Sequence, residues 1–133
     1  MSAVVNPVRV WLRLEAMAVF VGGLLVWIAM NGGWLKFVLG FLLPDLALLA
    51  YLIGPRAGAG VYNFTHSYLV PAALAIVGAT LDDTLLLLAG ALWTAHIGFD
   101  RMLGLGLKYP TGFADTHLGQ LNGFKRRVDS RES

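Results

Sequence analysis

The sequence predicts an all-α membrane protein: four transmembrane helices in an up-down bundle, both termini cytoplasmic, and a short C-terminal segment at the cytoplasmic mouth. Three observations lead there. The 133 residues are 57% hydrophobic and only 14% charged, with a mean hydropathy of +0.68, whereas soluble domains carry about a quarter of their residues as charges. The apolar residues run in unbroken blocks of about 20, enough to cross ~30 Å of hydrocarbon, instead of the periodic stripes of a soluble helix. Basic residues gather in alternate connections between those blocks.

The first block, from about Val10 to Met30, stops at Asn31-Gly32-Gly33, residues that tolerate the positive φ of a turn. Arg9 and Arg13 flank its start as in a signal peptide, but no Ala-x-Ala cleavage site follows, so a retained helix is expected. The second block, about Trp34 to Ile53, closes at Gly54-Pro55-Arg56, where proline cannot continue the hydrogen-bond ladder. The third, about Ala57 to Ala79, is the most polar and contains Tyr62, Asn63, Thr65, His66, Ser67 and Tyr68. Asp82 and Asp83 then suit the positive end of a fourth helix, Thr84 to about Leu105. These spans and a C-terminal segment over 106–123 form one transmembrane domain, residues 1–123, followed by a basic polar tail over 124–133.

Four spans put both termini on one side. That side collects Arg9, Arg13, Arg56, Arg101, Lys108, Lys125, Arg126, Arg127 and Arg131, against Lys36 alone on the other. The asymmetry predicts cytoplasmic termini and a multi-pass protein of the inner membrane. A net charge of +2 is too small to suggest nucleic acid. Membrane lipid is the expected partner, with a lipid or small apolar molecule as substrate and a homo-oligomer left open. The chain has no cysteine, so any metal must be held by nitrogen and oxygen donors.

Ionisable residues inside a span cost about 2.5 to 3.5 kcal/mol each near the helix centre, so each needs a partner or a purpose. Glu15 lies in the first helix, Asp45 in the second, His66 in the third, and His96 with Asp100 in the fourth. Counted at ~1.5 Å per residue from the cytoplasmic helix ends, Asp45, His66 and His96 fall about 12 to 14 Å inside, and Glu15 and Asp100 about 5 to 8 Å. All belong to the cytoplasmic half, and the outer half is almost wholly apolar. His96 and Asp100 share one helix face, which Trp93 also lines. Pro44 and Pro71 interrupt helices two and three, and each frees a carbonyl beside these polar residues. Asp115 and His117, in the C-terminal segment, are expected to cap the cluster from below.

The stretches Leu43-Pro44-Asp45-Leu46, Tyr62-Asn63-x-x-His66, His96-Ile-Gly-Phe-Asp100-Arg101 and Gly106-Leu-Lys-Tyr-Pro-Thr-Gly-Phe-x-Asp115-Thr-His117-Leu-Gly resemble the signature of a bacterial family of small four-helix membrane proteins. That family is catalogued as a domain of unknown function. The resemblance covers about Trp11 to Gly119 and implies fold and topology, but no activity.

Asp45, His66, His96 and Asp100 are the candidate catalytic residues, and with His117 the candidate ligands of zinc, iron or manganese; Glu15 is a further candidate. One expected chemistry is metal-assisted hydrolysis of a lipid ester or amide. Another is oxidation at a two-metal carboxylate site, and a metal-free version uses a His and Asp pair as general acid and base. Neither His-x-x-x-His nor Glu-x-x-His occurs. Four alternatives accompany the enzyme reading. They are a proton-coupled carrier, a small-solute carrier, a haem protein ligated by His66 and His96, and a structural membrane subunit.

Overall fold

The computed structural model describes residues 6–105 and 107, together with the backbone of 115–116 and 119–120. Its elements in chain order are α1 (Asn6–Ala29), α2 (Trp34–Phe41), a 3₁₀ helix (Leu43–Leu52), α3 (Pro55–Thr65), α4 (Leu69–Leu81) and α5 (Thr84–Met102). A two-residue antiparallel ladder follows, β1 (Asp115–Thr116) with β2 (Gly119–Gln120), Asp115 opposite Gln120.

The turns form where the sequence supplies the chemistry for them. Between α1 and α2 the backbone is left-handed at Asn31 (φ 56°) and at Gly33 (φ 84°), and Trp27 Nε1 donates to the Gly33 carbonyl at 3.0 Å. Between α4 and α5, Asp82 takes the left-handed position that ends α4 (φ 55°). Asp83 caps α5, its carboxylate accepting from Leu86 N at 3.1 Å.

Both middle spans are broken, where the sequence suggested kinks in continuous helices. In the second, Pro44 has no N–H to give, and Asp45 N donates three residues back, to Leu42 O at 3.2 Å. The chain then continues as a 3₁₀ helix of 10 residues, well beyond the usual run of about 3 to 4. In the third, α3 ends at Thr65, His66 leaves helical geometry (φ −103°, ψ 11°), and α4 begins at Leu69. Pro71 here lacks the N–H that a continuous helix would direct to the Ser67 carbonyl. Non-helical backbone at membrane depth persists only where protein or a polar site satisfies it.

The core is small and centres on α5, which packs along α1 and α4 and meets α2, while α3 lies against the 3₁₀ helix. Small residues permit the approach. A methyl group on Gly98 would come within 2.7 Å of Phe20 N, and one on Gly23 within 2.8 Å of Ala91 O, so α1 and α5 touch nearly backbone to backbone. Leucines, valines and tryptophans cover the outside, as expected of a surface whose solvent is hydrocarbon. Among the described residues three helical stretches are long and apolar enough to cross a membrane, Pro7–Ala29, Trp34–Leu52 and Pro55–Leu81. The most buried helix, α5, is the one that carries His96, Asp100 and Arg101.

Candidate metal centre

Each broken span delivers one polar side chain to the bundle interior, and α5 delivers two. Asp45 sits in the first turn of the 3₁₀ helix, directly after Pro44. His66 occupies the break between α3 and α4. His96 and Asp100, one turn apart on α5, complete the group, and the four donor atoms all lie within 4.8 Å of one another. His66 and His96 are almost wholly buried and Asp100 nearly so, while Asp45 is partly exposed.

The distances have a pattern. His66 Nε2 and His96 Nε2 are 3.2 Å apart. His96 Nε2 is 3.2 Å from Asp45 Oδ1 and 3.2 Å from Asp100 Oδ2. His66 Nε2 is 3.5 Å and 3.3 Å from the same two oxygens. Four corners at ~2.0–2.1 Å from a common centre define a tetrahedron with edges of ~3.3 Å, and these are the zinc distances for imidazole nitrogen and carboxylate oxygen. Five of the six edges therefore have the separations a tetrahedral ion imposes, and the sixth, carboxylate to carboxylate, falls within the 4.8 Å limit.

Hydrogen bonding alone does not account for this arrangement. One Nε2 carries at most one proton, directed along one line in the ring plane, yet each Nε2 here has three partners at 3.2–3.5 Å. Charge makes the same point. Two ionised carboxylates beside two neutral imidazoles leave two negative charges in an apolar bundle, and protonating both rings instead sets two cations 3.2 Å apart. A divalent cation would neutralise both carboxylates and take one lone pair from each of the four facing donor atoms.

The surroundings orient both rings. His66 Nδ1 lies 3.1 Å from the Tyr62 carbonyl and 3.0 Å from Thr65 Oγ1. Donation from Nδ1 to that carbonyl fixes the tautomer whose Nε2 lone pair faces the cluster. The Tyr62 ring stacks on His66 at 3.8 Å and 10°. Phe41 meets the His96 ring edge-on at 4.9 Å. Pro44 has no N–H to offer the Phe41 carbonyl, and Asp45 N turns to Leu42 O instead. His96 Nδ1 is buried and has no hydrogen-bond partner among the described residues.

Trp93, expected on the His96 face, reaches across to α3 and donates from Nε1 to the Thr65 carbonyl at 2.6 Å, bracing the turn before His66. Arg101 lies over the Tyr68 ring at 4.5 Å and points Nη2 at the His66 carbonyl at 3.4 Å. Nothing in the sequence assigns Phe41 and Tyr62 to the support of the two rings. Phe41 was findable in principle, standing three residues before a mid-span proline.

Not every candidate joins. Glu15 is exposed on α1 and lies outside the group. Its neighbour Arg13 donates to the Met102 carbonyl at 2.6 Å, tying α1 to the last turn of α5. His117 lies outside the described residues. Haem between His66 and His96 does not fit. Two axial nitrogens need ~4 Å of separation, on opposite faces of a porphyrin, and here they are 3.2 Å apart with both carboxylates closing on the same point. Among the described residues four donors surround one point, which suits one ion and not a two-metal carboxylate centre.

Fold and site together define a helical membrane protein with a cluster of two histidines and two aspartates, all buried but the partly exposed Asp45. The chain belongs to the family described as Domain of unknown function (DUF4260), whose model matches residues 9–121. No curated protein and no solved structure matches it.

Proposed function

We propose that this chain is a four-span protein of the inner membrane that binds one divalent metal ion through Asp45, His66, His96 and Asp100, and uses it on a lipid or small apolar substrate. The single observation that carries the reading is the set of five donor separations at 3.2–3.5 Å. Two nitrogens and two oxygens near tetrahedral positions favour zinc over manganese or magnesium, which take oxygen-rich octahedral sites. The ion would supply Lewis acidity, polarising a substrate carbonyl or making a water more acidic. The protein's residues hold and orient it: the Tyr62 carbonyl sets the His66 ring, and the dry apolar packing around His96 strengthens every charge in the site.

α5 is the fourth span in this reading. It is 19 residues long, ~28 Å at ~1.5 Å per residue, and packs along α1 and α4, each part of a stretch long enough to cross. Its lower hydropathy is the consequence of carrying the site. The positive-inside rule then sets the end of the bundle that holds Arg9, Arg13, Arg56 and Arg101 toward the cytoplasm, and the cluster opens in that half.

Metal analysis of purified protein tests the reading. One zinc per chain is expected in the native protein and after Asp82→Asn, and none after His96→Ala. Native protein free of stoichiometric metal, with proton uptake into vesicles abolished by Asp45→Asn, would overturn it in favour of a proton relay.

A further inference from the structure

The four donors differ sharply in exposure. The side chains of His96 and His66 are 1% and 3% exposed and that of Asp100 12%, but Asp45 is 42% exposed. The site therefore has one open side, and the 3₁₀ helix decides what lies outside it. With ~3.0 residues per turn, every third residue of such a helix falls in one straight row. Leu43, Leu46, Leu49 and Leu52 make that row, all more than half exposed, while Pro44 and Ala47 in the next row are buried. Asp45 belongs to the remaining row, at the border between the exposed leucines and the interior.

Depth sharpens this. Asp45 is seven residues from the end of the 3₁₀ helix at Leu52, ~14 Å at ~2.0 Å per residue, about half the ~30 Å hydrocarbon thickness. The exposed neighbours on both sides, Leu42, Leu43 and Leu46, are hydrocarbon. In the four-span reading the open side of the site then faces the membrane interior and not a water-filled entrance.

Resting on the proposed metal centre, we infer that its substrate enters sideways from the bilayer past Asp45, and is a neutral membrane-dissolved amphiphile whose carbonyl or hydroxyl oxygen reaches the ion. A charged head group at that depth is costly, which excludes the phosphate of an ordinary phospholipid as the reacting group. The row of leucines gives the hydrocarbon chain a surface to lie along, and Asp45 is the ligand that moves aside to admit the oxygen.

The test uses the full chain in phosphatidylcholine nanodiscs with cobalt(II) in the site, whose visible bands report a new oxygen ligand. Dodecanohydroxamic acid, dissolved in the bilayer, is compared with acetohydroxamic acid in water. Lateral entry predicts that the long-chain probe shifts the cobalt bands and the short one does not. It also predicts that Leu46→Trp, which narrows the mouth without adding charge, and Leu46→Arg each weaken the long-chain probe about tenfold or more while the starting spectrum stays unchanged. Equal response to the two probes, or no effect of either substitution, overturns lateral entry and leaves the metal centre standing. Absence of any cobalt spectrum, with native zinc also absent, overturns both.

Discussion

His66 Nε2 and His96 Nε2 face each other across 3.2 Å, on elements separated by a helix break and 30 positions in the chain. Two ring nitrogens so close, each also 3.2–3.5 Å from a carboxylate oxygen of Asp45 and of Asp100, have the separations that a bound metal ion would impose. The expectations that follow test that relationship and the architecture that maintains it.

Removing a ring should remove the ion. His66→Ala and His96→Ala are each expected to lower zinc affinity by more than the ~10 to 100-fold typical of a supporting residue. Competition with a chelator in detergent reads this directly, and wild-type affinity in either variant would refute the ligand assignment.

Pro44→Ala should give the backbone back the N–H that the Phe41 carbonyl lacks. In an isolated helix alanine is favoured over proline by about 3 kcal/mol, yet zinc affinity is expected to fall ~10 to 100-fold as Asp45 and the His96 ring lose their positions. The informative result is the opposition, helix content unchanged or higher by circular dichroism with weaker metal binding.

Metal occupancy should fall on acidification. A ligating imidazole must be unprotonated, so protons compete with the cation at two rings, and binding is retained at higher pH and lost as pH falls. The logarithm of the zinc dissociation constant is expected to rise with a slope approaching about two per pH unit on the acid side. A flat profile would show that imidazoles are not the ligands.

Gly98→Val should separate α1 from α5. Even a methyl there would meet Phe20 N at 2.7 Å and the Ala16 carbonyl at 2.9 Å, both rigid backbone. Overpacking of this kind costs about 1 to 3 kcal/mol, measurable as a lowered unfolding midpoint in detergent. Leu85→Ala, on an exposed surface of α5, should leave the midpoint within about 0.5 kcal/mol of wild type.

How far the sequence reaches is clear from particular residues. Asn31, Gly33, Asp82 and Asp83 announce their turns and caps, because those conformations are local and their side chains are specific to them. Continuous hydrophobicity at Pro7–Ala29, Trp34–Leu52 and Pro55–Leu81 announces a membrane, because lipid leaves a chain few alternatives. Asp45, His66, His96 and Asp100 could be picked out singly, since an ionisable group in a span is rarely without reason. Glu15 had the same credentials and stays outside the group, because depth along a helix says nothing about rotation around it.

By itself, then, the sequence determined the helical membrane class, the turns and the short list of polar residues, all of which follow from local propensity and from the cost of burying charge in hydrocarbon. Tertiary structure alone decided that four of those residues meet, that Pro44 converts half a span to 3₁₀ geometry, and that Asp45 is left at the edge of the site. These depend on the relative rotation of helices, and that is set by backbone contacts such as Gly98 against Phe20 that no single segment specifies.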